Sequence, residues 1–249
     1  MKKTTLSLIA ALLFTMTETK AQPQTFIGRQ KPVIENRKLT PEALWAMGRV
    51  GGASVSPDGS QIAYNVSYYS VKENKSHTVI YKVNNDGTKE TLMTKEKTSE
   101  LSPKYMKNNT IAFLTPYNDG VMQVWQMNAD GTQRKQLSKE NEDVEDFLFS
   151  PDEKKVILIK SVKYGKRTSD TYNDLDKASG RIITDLMYRH WDEWVETIPH
   201  PYVADFDGVS ITNTKDILGA EPYECPMKPF GGIEQLAWSP DSKIIAFTC

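Results

Sequence analysis

The chemically versatile side chains crowd into one place. Tyr188-Arg189-His190-Trp191-Asp192-Glu193-Trp194 gathers a guanidinium, an imidazole, two carboxylates and two indoles in seven consecutive residues. Arg189, Trp191, Asp192 and Trp194 could contact a substrate or a neighbouring domain, because aromatics and Arg carry much of the contact energy at interfaces. The alternative, which is favoured, is that the Trp rings pack on a sheet while Arg189 pairs with a carboxylate. Elsewhere the chemistry is sparse. A serine nucleophile needs the strained Gly-x-Ser-x-Gly turn that exposes its hydroxyl. The nearest imitations, Gly52-Ala53-Ser54-Val55 and Gly208-Val209-Ser210-Ile211, lack the closing glycine, so no catalytic residue is assigned. His77 and His200 are expected in surface loops, and Cys225 and Cys249 are taken as structural. Three scattered histidines and two cysteines make a metal site a poor fit, and no cofactor is expected.

A formal net charge of -1 argues against nucleic acid, whose partners carry a basic patch or stripe. Lys2 and Lys3 precede the apolar run Leu6 to Phe14, which is too short to span a bilayer as a helix. With the small residue Ala21 ending Thr19-Lys20-Ala21, this predicts a signal peptide over 1–21 and a periplasmic or extracellular mature chain without a membrane span.

The elements that must position these residues are announced by a repeat. Ser56-Pro57-Asp58-Gly59, Ser150-Pro151-Asp152-Glu153 and Ser239-Pro240-Asp241-Ser242 match closely, and Ser102-Pro103-Lys104 looks like a looser copy. Each is followed by a short apolar run such as Ile62-Ala63-Tyr64 or Val156-Ile157-Leu158. Pro presets φ for a turn, Asp bonds nearby backbone, and Gly accepts positive φ, so each copy reads as a hairpin turn. Asn85-Asp86-Gly87-Thr88, Ala129-Asp130-Gly131-Thr132 and Asp207-Gly208 supply a second series of tight turns. Two turns per unit give four antiparallel strands, the blade of a β-propeller.

Asp58 and Asp86 are 28 residues apart, whereas Asp152 and Asp207 are 55 apart. The third unit therefore carries an insertion at about 162–198, between its second and third strands. The expected fold is all-β, an incomplete propeller over 39–249 of three blades plus the start of a fourth, preceded by a segment over 22–38. A short helix should run from the cap Thr40 through Pro41 towards Gly48. A ring buries each blade against its neighbours, so the chain is expected to be part of a longer one.

Three features in order, Leu39-Thr40-Pro41-Glu42 before the first repeat, Tyr188 to Trp194 in the insertion, and Pro201-Tyr202-Val203-Ala204-Asp205-Phe206-Asp207-Gly208 on the return, resemble the N-terminal half of bacterial prolyl oligopeptidase family enzymes. The similarity covers 35–249 and is greatest to the acylaminoacyl-peptidase-like and dipeptidyl-peptidase V branch. It implies a secreted serine exopeptidase whose propeller gates short peptides into a C-terminal α/β-hydrolase domain, and whose full-length parent could be a homodimer. It also implies that this chain alone is inactive. Carboxylates such as Glu142, Asp143, Glu145 and Asp146 could hold a peptide's free amine, although a charged blade edge explains them as well. The run Lys139 to Asp143 reads most simply as a solvated loop. The alternative function is a TolB-like periplasmic protein-binding propeller without catalytic activity.

Overall fold

The computed structural model describes residues 26–118, 120–175, 177–181 and 195–249. The helix α1 (Pro41–Ala46) opens on Thr40, whose hydroxyl accepts the Ala43 amide at 3.2 Å. Three four-stranded antiparallel sheets follow. The first contains β1 (Arg49–Val55), β2 (Gln61–Ser70), β3 (Lys75–Asn84) and β4 (Thr91–Leu92). The second contains β5 (Leu101–Tyr105), β6 (Thr110–Thr115), β7 (Gln123–Asn128) and β8 (Lys135–Gln136). The third contains β9 (Val144–Phe149) and β10 (Lys155–Lys163), then β11 (Thr197–Phe206) and β12 (Ile211–Asp216), with the short helix α2 (Thr168–Thr171) between β10 and β11. A two-stranded sheet of β13 (Leu236–Trp238) and β14 (Ile245–Phe247) comes last. Every strand pairs with its successor in its sheet, the order expected of propeller blades.

Period-two alternation turns each middle strand into a two-sided wedge. On β6, Ile111 and Phe113 face the first blade and pack with Ile80, Met93 and Ala63. Ala112 and Leu114 face the third blade and pack with Val144, Phe147 and Leu158. On β10, Val156 and Leu158 join that second cluster, while Ile157 and Ile159 pack with Cys225 and Leu236 on the side of the fourth sheet. Burying a side chain such as Phe113 or Leu114 stabilises by about 2 kcal/mol, and here most of that gain is made between blades.

The Ser-Pro-Asp turns join the first two strands of the first, third and fourth sheets. Serine does more in them than the sequence pattern suggests. Ser56 Oγ donates to Asp58 Oδ1 at 2.6 Å and accepts the Gln61 amide at 2.9 Å. Ser150 and Ser239 repeat both bonds with Asp152 and Lys155, and with Asp241 and Ile244. The fourth turn position is left-handed throughout, at φ +72° in Gly59, +54° in Glu153 and +61° in Ser242.

The second blade corrects the expected repeat. Ser102-Pro103-Lys104 lies within β5, where the register to β6 slips between Leu101 and Lys104. Proline lacks an amide to donate, and a bulge tolerates that loss. The turn itself is Met106 to Thr110, with Asn108 Oδ1 accepting the Thr110 amide at 3.1 Å and Asn109 taking the left-handed position at φ +63°. Asparagine thus replaces both Asp and Gly there.

Candidate functional site

The excursion from the third blade leaves β10 and returns at β11, and Tyr164 closes its base by donating its amide to Glu196 O at 2.9 Å. Charge holds the described part together. Lys163 Nζ lies 2.6 Å from Asp170 Oδ2, which also accepts the Arg167 amide at 2.7 Å. Those two bonds hold the Asp170 carboxyl below the usual carboxylate range. Glu196 pairs with Arg167 at 3.8 Å and with Arg181 at 3.4 Å. A cavity of about 320 Å³ opens here, lined by Lys166, Arg167, Ser169, Ser179, Arg181 and Glu196 among others. Arg189, Trp191, Asp192 and Trp194 lie outside the described residues.

Beneath the excursion lies a polar cluster that sequence reasoning missed. His200 is no loop residue: it sits on β11, 1% exposed, with Nδ1 2.9 Å from Asp216 Oδ2. Burial pushes the Asp216 carboxyl up, but the His200 ring and the amides of Gly219 and Leu218 outweigh this and hold it low. Lys160, opposite His200 in the ladder, reaches Glu140 Oε2 at 2.7 Å, and the Thr214 hydroxyl donates to Glu140 Oε1 at 2.7 Å. Glu140 is thereby drawn out of the solvated run expected over 139–143 and fixed between the second and third blades. His77 is likewise buried, on β3, with its ring nitrogens 2.9 Å from Ile27 O and 3.3 Å from Thr98 O. A buried imidazole needs such partners, and an apolar-alternating strand hides them from a sequence reading.

The His200–Asp216 pair has the orienting half of an acid–base arrangement, but His200 Nε2 is enclosed and bonds nothing among the described residues. A general base must reach the proton it abstracts, so this pair is structural.

The acidic candidates are mostly committed. Asp143 accepts the Met122 amide at 2.7 Å, and Glu145 accepts the Ser161 hydroxyl and lies 3.8 Å from Lys228. Asp146 on β9 meets Lys104 on β5 at 2.9 Å, an ion pair between the first strands of adjacent blades. Burial lowers the Lys104 ammonium pKa, opposed by Asp146. Glu142 is exposed in the link before β9.

No protein-family model matches the sequence. The chain is 46% identical over 210 residues to dipeptidyl-peptidase 5 of Porphyromonas gingivalis, covering 84% of this chain and 31% of that protein. It is 39% identical over 248 residues to dipeptidyl-peptidase 5 of Porphyromonas endodontalis, covering 99% of this chain and 36% of that protein. The chain thus spans about a third of the length of these relatives. Among solved structures, an acylaminoacyl peptidase in complex with Z-Gly-Gly-Phe-chloromethyl ketone superimposes with a TM-score of 0.50 at 10% identity, over 70% of this chain and 26% of that one. At that identity the likeness speaks for the fold alone.

Proposed function

The chain belongs to the prolyl oligopeptidase family as an N-terminal propeller part, and from that premise we propose that it is the gating portion of a secreted serine exopeptidase of the dipeptidyl-peptidase type. In this reading the propeller admits short peptides and chain ends to a C-terminal α/β-hydrolase domain, where a serine, activated by a histidine base, forms an acyl-enzyme. The observation that carries the proposal is the 46% identity with dipeptidyl-peptidase 5 over 210 residues, which extends across the blades rather than resting on the turn repeats alone. The TolB-like alternative has weaker support, since the sequence relatives above are named as dipeptidyl peptidases. A signal peptide over 1–21 and, with it, a periplasmic or extracellular location belong to the same proposal.

The structure suggests how such a gate stays rigid. Adjacent blades are locked by Lys104–Asp146 near their first strands and by Lys160–Glu140 farther out, so the passage would have a fixed bore. A chimaera tests this. The chain replaces the matching third of the Porphyromonas gingivalis relative, and a cooperative melt verifies folding. Release of dipeptides from short peptides, with folded proteins left intact, is the expected result. A folded chimaera that releases no dipeptide, or that digests folded proteins, would refute the proposal. The 249 residues alone should hydrolyse no dipeptidyl reporter substrate.

A further inference from the structure

We propose that Cys225 and Cys249 form an intramolecular disulfide that staples the segment leaving the third blade to the fourth sheet. Both are free thiols in the structure, Cys225 buried and Cys249 exposed. They are 24 positions apart in sequence, but packing around Leu236 brings their two segments together.

Three contacts hold those segments in place. Cys225 donates its amide to Pro199 O at 2.9 Å, and Pro199 stands opposite Ser161 in the β10–β11 ladder. The Cys225 side chain packs in the cluster that contains Ile159 and Leu236. On the fourth sheet, Leu236 pairs with Phe247, and the ladder runs on through the Thr248 amide, 3.3 Å from Gln235 O. Trp238 donates its indole N–H to Leu148 O at 3.1 Å, which sets β13 alongside β9. Ile159, which shares that cluster with Cys225 and Leu236, is the ladder partner of Asp146 on β9. Cys249 lies two residues beyond Phe247, the ladder partner of the same Leu236 that shares a cluster with Cys225. Burial raises the Cys225 thiol pKa to about 11, and the nearby Cys249 thiol adds to that rise.

The chemistry needs an oxidant of the disulfide class, such as glutathione disulfide or an oxidised dithiol oxidoreductase. The exposed Cys249 thiolate attacks one sulfur of the oxidant and displaces the other as thiolate. The Cys225 thiolate then attacks Cys249 Sγ in the mixed disulfide and expels the second thiolate. Two protons and two electrons leave the protein, and one oxidant disulfide becomes two thiols. The new bond encloses residues 226–248, which include the exposed link with Met227 and Phe230. It removes a buried ionisable thiol and shortens the excursions of that link in the unfolded chain.

The test equilibrates the purified chain with glutathione disulfide and glutathione, unfolds it in urea with an alkylating agent, and digests it with trypsin without reduction. The expected result is a covalent monomer with no alkylatable thiol, peptide 216–243 joined to peptide 244–249, and a melting temperature that falls on reduction. A Cys249→Ser variant should retain one thiol, slow to alkylate until urea is added. An end state with glutathione on Cys249 and a free Cys225, or a dimer linked through Cys249, would overturn the proposal. So would rapid alkylation of Cys225 in the folded variant. None of these outcomes depends on peptidase activity.

Discussion

Ser242 Oγ accepts the backbone amide of Asp152 at 3.0 Å, joining the turns of two adjacent blades across 90 residues of sequence. Glu153 does the same one blade earlier, its Oε1 accepting the Lys107 amide at 2.7 Å. Both residues occupy the left-handed fourth turn position, where glycine would be unstrained. The blade-to-blade bond explains why side chains stand there: each offsets the local strain by tying its turn to the preceding blade. Ser242→Ala should therefore cost about 1 kcal/mol, the net worth of one hydrogen bond. Ser242→Gly should cost less, because glycine recovers the strain of a left-handed residue, roughly 1 kcal/mol. Urea unfolding of the two variants decides it, and equal losses would count against this account.

A heavier lock sits between the first two blades. Glu100 is wholly buried, and it accepts from Arg134, from the Tyr117 hydroxyl and from Thr94 Oγ1. Arg134 also donates to Met93 O at 2.8 Å. Removing one partner leaves a buried charge uncompensated, so Arg134→Ala should destabilise by about 3–5 kcal/mol. Replacing both, as Glu100→Leu with Arg134→Met, should cost much less than Arg134→Ala alone. A double variant less stable than the single one would contradict the argument.

These locks mark the limit of what the sequence discloses. Turn chemistry is local, so the Ser-Pro-Asp and Asp-Gly turns located the hairpins of the first and third blades and placed the insertion between β10 and β11. Where asparagine takes over both turn roles, at Asn108 and Asn109, the pattern vanished and Ser102-Pro103 drew the assignment four residues too early. The polar partners are distant in sequence: Glu140 is 20 residues from Lys160, and His200 is 16 from Asp216. Composition cannot pair them, which is why Glu140 read as solvated and both buried histidines as loop residues. The cluster at Arg189 to Trp194 was legible as a concentration of side chains, but its geometry falls outside the described residues.

Acid should weaken the turns in a defined window. The Ser56 hydroxyl, then the Ser60 amide and hydroxyl, hold the Asp58 carboxyl down to about 2. An unfolded Asp titrates near 3.9, roughly. The folded state therefore binds protons less readily, and the contribution of Asp58 is complete above about pH 4 and is lost as pH falls towards 2. Asp152 and Asp241 shift in the same direction for the same reason, each led by its own turn serine. Asp58→Asn should be less stable than the parent at pH 6, and the gap should narrow between pH 4 and 2. A gap that stays constant over that range would remove the carboxylate from the argument.

Every residue of β1 except Ser54 is exposed, including Val50 at 71%, although the other first strands carry buried residues. At the other end of the row, β14 pairs only with β13 among the described residues, and Ile244 and Phe247 are exposed at 66% and 36%. An edge strand with unpaired backbone and apolar side chains is a template for association. Burying about 200 Å² of apolar surface at such an edge is worth on the order of 5 kcal/mol at about 25 cal/mol per Å², enough to offset much of the cost of pairing two chains. Residues 22–249 expressed alone should therefore self-associate as concentration rises, and sedimentation velocity would register the larger species. Ile244→Lys should weaken that association, since an edge lysine must be desolvated for a second strand to pair, while leaving the melt of the first three blades unchanged. The position is exposed, so the charge costs the monomer little. A parent chain that stays monomeric at high concentration would refute the prediction, as would a variant that associates as strongly as the parent.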